Sequence, residues 1–223
     1  MYAFVAFTSP PCDHLRSETG IRNKATTLCI SWMTMLDAST VDLEQLNRYN
    51  FRSALEALAR PGEPFPLQPL FSSPLLAMAS VLLYGETSFH CQGSTDFDLV
   101  RAISGAAGRA AAEADYIFAD APDEALLAAA RAGTGESPEL GATLIFLANA
   151  TDTATRVRLS GPGIDGIKET CLPLTPAFIA ARQRKNAWLP LGVDILLLQS
   201  TAGEAAVHNV LALPRTTAIE VLP

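Results

Sequence analysis

From residue 39 onward, apolar positions recur with two alternating periods. Leu43, Leu46, Phe51, Ala54, Leu55 and Leu58 follow helical spacing, which predicts a helix with one apolar face. Ser39 and Asp42 ahead of it resemble a capping box with an Asp where Glu is commoner. Pro61-Gly62 ends that helix, because the residue before a proline avoids the helical region. A second helix is predicted from Ser73 as cap and Pro74 at the first position through Leu75 to Tyr84, with Gly85 at its end. Its apolar residues run nearly all round, so burial on several sides is expected.

The rest of the chain alternates. Strands are predicted over Thr87 to Cys91, Tyr116 to Ala119, Ala142 to Ala148 and Arg156 to Leu159, with Ile167 to Leu172 extended. Helices are expected over Asp96 to Ala107, Pro122 to Ala132 and Pro176 to about Lys185. Three more strands, Val193 to Gln199, Val207 to Leu213 and Ala218 to Val221, leave no room for helices between them. Strands interleaved with helices of about ten residues indicate a layered α/β fold, and the late run of strands makes its sheet mixed. No repeat and no Pro-, Ser- or Gly-rich linker divides residues 39–223, which are expected to form a single α/β domain.

Residues 1–38 read differently. The stretch Met1 to Met33 has no clear apolar period and mixes Arg16, Arg22 and Lys24 with Asp13 and Glu18. A secretory signal places basic residues before its apolar region, whereas here Tyr2 to Phe7 comes first. The expectation is a disordered tail or an over-extended start, with Met33 and Met35 as later starts.

Composition narrows the function classes. A formal charge of −7 argues against unaided nucleic-acid binding and against an anionic membrane surface. No apolar run approaches the ~20 residues of a membrane span. Cys12, Cys29, Cys91 and Cys171 are widely spaced and form no C-x-x-C motif, which fits buried or free thiols in a reducing cytoplasm. His14, His90 and His208 are equally scattered.

Candidate catalytic constellations are incomplete. Gly161-Pro162-Gly163-Ile164-Asp165-Gly166 matches the G-x-G-x-x-G spacing of dinucleotide sites, but the extended stretch after it supplies no helix dipole, so a turn between strands is expected. His90 and Cys91 are strand neighbours that point to opposite faces, so they cannot hold one ion, and no metal site is expected. No G-x-S-x-G elbow exists, and nothing in the spacing sets a histidine beside a serine. Asp96 and Asp98 fall at a helix start and complement its dipole. Two positions stand out. Asp194 enters an otherwise apolar strand just after Gly192, and a buried carboxylate needs partners. Arg215 sits in the corner Pro214-Arg215-Thr216-Thr217, where it could tie a strand crossing to Asp194 or grip an anion or partner carboxylate.

Four segments in order carry a family resemblance. They are Phe51-Arg52 with Ala59-Arg60-Pro61-Gly62; Gly133-Thr134 leading into Pro138 to Ile145; Val157 to Ile164; and Leu189 to Asp194 with Leu213 to Val221. Together they resemble the H subunit of the bacterial carbon–phosphorus lyase machinery for phosphonate breakdown. The resemblance implies a three-layer α/β/α sandwich similar to the large domain of pyridoxal-phosphate-dependent transferases. Such a cofactor needs a Schiff-base lysine, and Lys24, Lys168 and Lys185 all sit in poor settings for one, so no cofactor is expected. It also implies a homodimer in isolation, with the G, I and J subunits as partners. The implied role is support for making alpha-D-ribose 1-methylphosphonate 5-triphosphate from ATP and methylphosphonate, with adenine released. The isolated chain is expected not to catalyse this step. The alternative is an independent protein binding a nucleotide or phosphorylated sugar on a vestigial cofactor fold.

Overall fold

The structure is a computed structural model that describes residues 43–148, 154–200 and 208–223. The expected tail over residues 1–38 and the Ser39–Asp42 cap lie outside the described residues. The first helix, α1 (Leu43–Ala59), is followed by a short strand β1 (Phe65–Leu67) and by α2 (Pro74–Leu82). Then come β2 (Ser88–Gln92), α3 (Asp98–Ser104), β3 (Ala107–Gly108), β4 (Tyr116–Ala119), α4 (Glu124–Ala129) and a 3-10 turn at Pro138–Leu140. β5 (Thr143–Leu147), β6 (Ala154–Ser160), β7 (Lys168–Pro173), α5 (Pro176–Lys185), β8 (Asp194–Ser200), β9 (His208–Leu213) and β10 (Ala218–Val221) complete the order.

Seven strands form one mixed sheet in the order β1-β9-β8-β5-β4-β2-β3. β3, β2, β4, β5 and β8 run parallel, while β9 lies antiparallel to both β8 and β1. Burial on both faces explains why the central strands are continuous apolar runs. Ile145, Leu196, Leu198, Val210 and Ala212 turn to one face, under α1, α2 and α3. Leu144, Phe146, Ile195, Leu197 and Leu213 turn to the other, under α4 and α5. Period-two alternation thus serves two cores at once.

The second covering layer is not purely helical. β10, β6 and β7 form a separate antiparallel sheet whose Val157, Leu159, Leu172 and Ile219 enter the same core as α4 and α5. The α/β/α expectation is corrected to that extent. Helix ends also shift for local reasons. α3 stops at Gly105, which takes φ 70°, rather than continuing to Ala107. α4 starts from Asp123, whose carboxylate accepts from the Ala125 and Leu126 amides, rather than from Pro122. α2 ends at Leu83 in extended conformation, before Gly85. Ser73 caps α2 as its sequence position predicts, and Thr175 caps α5.

The chain changes direction at β2. It leaves through α3 to β3 on one side, then crosses to β4 on the other, with α3 and α4 on opposite faces. Such a switch opens a crevice at the carboxyl ends of the strands.

Candidate functional site

The residues singled out in the sequence meet at the opposite, amino-terminal end of the parallel strands. Asp194 opens β8 next to Thr143 of β5, and Pro214, Arg215 and Thr216 form the corner between β9 and β10. The Arg215 side chain donates to the Asp194 carboxylate from Nε at 3.1 Å and Nη2 at 2.6 Å, and its main-chain N–H donates at 2.7 Å. Nη1 donates to the Pro138 carbonyl oxygen at 2.8 Å. With side-chain exposures of 15% and 23%, this ion pair is largely shielded from water. Each guanidinium nitrogen already faces an acceptor, so the geometry is that of a brace. Thr216 is exposed and stands outside it, while Thr217 is buried.

Two further side chains complete the joint. Arg182 of α5 is 1% exposed; it donates to the Thr217 carbonyl at 3.1 Å and the Pro214 carbonyl at 2.6 Å. Burial lowers its pKa to about 10, against the opposing pull of the Asp194 charge. The Asn186 amide donates to the Val193 carbonyl at 3.1 Å and accepts from the Val193 amide at 2.9 Å, which fixes the chain beside buried Gly192. Arg182 was not singled out from the sequence. Its spacing from Phe178 and Ile179, both buried, was the signal.

A second joint lies on the other side of the same corner. The G-x-G-x-x-G stretch is the turn between β6 and β7. A side chain on Gly163, at φ 81°, would collide with the Ala59 carbonyl, and one on Gly161 would press on the Thr216 carbonyl. The turn therefore packs against the end of α1.

At the carboxyl ends of the strands, Asp120 accepts from the Ser94 amide at 2.6 Å, the Ser94 hydroxyl at 2.8 Å and Thr95 at 3.2 Å. These donors, the Ser94 amide first, hold its carboxyl below the usual range. Asp123 is likewise lowered, first by Gln92, whose amide donates at 2.9 Å. Both line a cavity of about 530 Å³ floored by Leu147, Leu174 and Phe178.

Other candidates fall in place. Lys168 pairs with Glu63 at 2.8 Å; Lys185 donates to the Ala128 carbonyl at 2.9 Å, and burial lowers its pKa. One expectation is overturned: the β8–β9 register does set a histidine beside a serine, with Ser200 Oγ 2.7 Å from His208 Nδ1. The contact joins residues on neighbouring strands, which spacing along the chain cannot reveal. Among the described residues, no three His, Cys, Asp or Glu side chains converge as a metal site.

The helical face of α1 to α3 is less self-contained. α1 buries Leu46, Asn50, Ser53, Ala54 and Ala57, and leaves Phe51 50% and Leu55 49% exposed. The expected apolar face is thus split, because Asn50 turns inward to bond the main chain of Gln68 next to β1. Phe71, Tyr84 and Ile103 are exposed nearby, along a groove between α2 and α3 that Leu43 also lines.

Fold and joints together define an open mixed-sheet α/β protein whose best-held residues brace its own corners. The family described as bacterial phosphonate metabolism protein (PhnH) matches residues 39–220. A candidate C–P lyase subunit protein, HtxG, of Stutzerimonas stutzeri is 30% identical over 178 residues, covering 77% of this chain and 84% of that protein. The chain belongs to the bacterial phosphonate metabolism protein (PhnH) family.

Proposed function

We propose that the chain is a non-catalytic subunit of a carbon–phosphorus lyase assembly in the cytoplasm. In that reading it supports formation of alpha-D-ribose 1-methylphosphonate 5-triphosphate from ATP and methylphosphonate, with release of adenine. Its partners are the G, I and J subunits, and alone it pairs with a second copy. The carrying observation is the apolar face of α1 to α3. Phe51, Leu55, Phe71, Tyr84 and Ile103 are each about half exposed or more, a density that marks a protein–protein contact. The similarity of the chain to a relative named as a C–P lyase subunit supports the same reading. The layered sheet is read as akin to the large domain of pyridoxal-phosphate transferases, with Lys168 and Lys185 committed elsewhere.

The test uses the chain co-expressed with its partner subunits. Phe51→Glu with Leu55→Glu should leave the melting curve of the isolated chain unchanged and abolish co-purification with the partners. The assembled wild type should release adenine from ATP and methylphosphonate, and the isolated chain should not. Adenine release by the isolated chain at the rate of the complex would sink this reading, as would normal assembly of the double variant.

A further inference from the structure

The two sheets end in four edge strands, and three of them are closed to further pairing. β1 is three residues long and carries Pro66, which has no main-chain N–H to offer. β3 has two residues. On β10 the Gln183 side chain of α5 donates to the Ile219 carbonyl, a group that faces away from β6. β7 is the exception. It runs for six residues, Lys168–Pro173, and pairs on one side only, with β6. Edges of that length are commonly blunted by shortness, proline or a covering element. β7 has only Pro173, at its far end.

Which main-chain groups are free follows from the ladder. The Leu222 amide donates to the Arg156 carbonyl, so Arg156 and Arg158 turn their main-chain groups to β10, and Val157 and Leu159 turn theirs to β7. Their register partners Thr170 and Lys168 therefore face β6, while Glu169 and Cys171 face outward. Among the described residues nothing bonds the outward N–H and C=O of either residue. Both are exposed, as is Ile167, 63%, at the start of the lane. The strand is firmly held all the same. Leu172 is buried in the core, Lys168 pairs with Glu63, and Arg158 donates to Glu169 from β6 at 3.2 Å. The edge is thus preformed, and an incoming strand would have little of this chain to order.

The charge beside the lane selects its occupant. Arg156 and Arg158, the cations that face Glu169, both stand on β6, so its carboxylate meets no counter-charge on the open side. A second copy would bring another Glu169 and Cys171 to that face, and no cation. We propose that the outer edge of β7 accepts an extended segment of a partner protein as an added strand, with a lysine or arginine of that segment beside Glu169. Main-chain bonds at Glu169 and Cys171 supply the affinity, and the cation opposite Glu169 sets the register. The α1 to α3 face takes no part in this contact, so its test can fail without touching the subunit reading.

Calorimetry and amide hydrogen exchange read by NMR on the full chain would use a short peptide of alternating lysine and valine, with a glutamate–valine peptide as its counterpart. The lysine peptide should bind about tenfold or more tighter than the glutamate peptide. It should slow exchange of the Glu169 and Cys171 amides and leave that of Thr170, already in the ladder, nearly unchanged. Cys171→Pro removes an outward N–H that folding leaves unpaired and keeps every charge. It should melt close to wild type and bind the lysine peptide about tenfold or more weakly. Glu169→Gln should reduce the preference for the lysine peptide by at least about threefold. No saturable binding of that peptide would overturn the proposal, as would binding that Cys171→Pro leaves intact, since net charge alone would then hold it. Should Cys171→Pro not fold, exchange in the wild type decides: a bound peptide that leaves the Glu169 and Cys171 amides fast refutes the added strand. Protection of the same two amides by self-association, without peptide, would give the edge to a second copy and overturn the proposal as well.

Discussion

Replacing Arg215 with alanine removes the centre of the joint at the amino-terminal end of the sheet. The variant leaves Asp194, 23% exposed, without the Nε and Nη2 donors, and leaves the Pro138 carbonyl with the Gly141 amide alone. Each charge-assisted bond contributes about 1.5–3 kcal/mol. Two facts lower the total. Asp194 keeps the main-chain amide of residue 215 at 2.7 Å, and its remaining exposure lets water reach the carboxylate. The net cost is then about 3 kcal/mol, at the lower end of the range for breaking a shielded pair. For a chain of this size that lowers the melting temperature by about 6–12 °C.

A double-mutant cycle separates the pair from its surroundings. Asp194→Ala, Arg215→Ala and the double variant should show a coupling of about 2–3 kcal/mol, because the second loss removes a charge that the first left unpaired. Arg158→Ala serves as a control: its pairs with Glu169 and Glu220 are exposed, so its loss should leave the melting curve close to that of wild type. If Arg215→Ala melted within about a degree of wild type, yet failed to assemble, the guanidinium would belong to a partner and the brace argument would be wrong.

Three further outcomes follow from the same geometry. Arg182→Met should cost about 2–4 kcal/mol in denaturant unfolding, since the Thr217 and Pro214 carbonyls lose their buried donors. Gly163→Ala should cost more than about 1 kcal/mol in the same assay, because φ 81° and the Ala59 carbonyl both reject a side chain. Asp120 has a carboxyl held below its ordinary 3.8, so its contribution is present at neutral pH and lost as pH falls through the folded value. Asp120→Asn should melt below wild type at pH 7, and acid titration should show the gap closing under about pH 4.

Much of the architecture was legible because local and global signals agree. β4, α5 and β10 fall where periodicity and caps put them, and β5 and β8 read as apolar runs because both faces are buried. Elements without such agreement were missed. β1 contains Pro66, which cannot donate to a ladder and survives only because β1 is an edge strand. β3 has two residues, too few for any period. The inward face of α1 was hidden by Asn50 and Ser53, polar residues that tertiary bonds carry into the core while Phe51 and Leu55 stay out. Asp194 and Arg215 were visible because charge interrupts an apolar run. Their partner Pro138, 77 positions away, contributes a main-chain oxygen that no sequence pattern marks.

The segments that carry the family resemblance turn out to share two joints. Arg215 binds Asp194 and the Pro138 carbonyl, and Gly141 packs so closely against Gly192 and Arg215 that a side chain there would collide. On the other side of the corner, Gly161 meets Thr216 and Gly163 meets Ala59. Stretches far apart in the chain thus meet around one short turn, Pro214 to Thr217. A signature of that kind identifies a fold by its hardest closures, where neither a bulkier residue nor a missing charge is tolerated. It carries little chemistry, which is why reading it for a catalytic group leads back to structural pairs. Outside both joints lie the apolar face of α1 to α3, of which only Phe51 falls in a signature segment, and the open edge of β7. Neither feature is required by packing, and each exposes groups that folding alone would have covered or paired. Activity in this chain is therefore to be sought where the signature is thin, on surfaces that the braced corners hold in place.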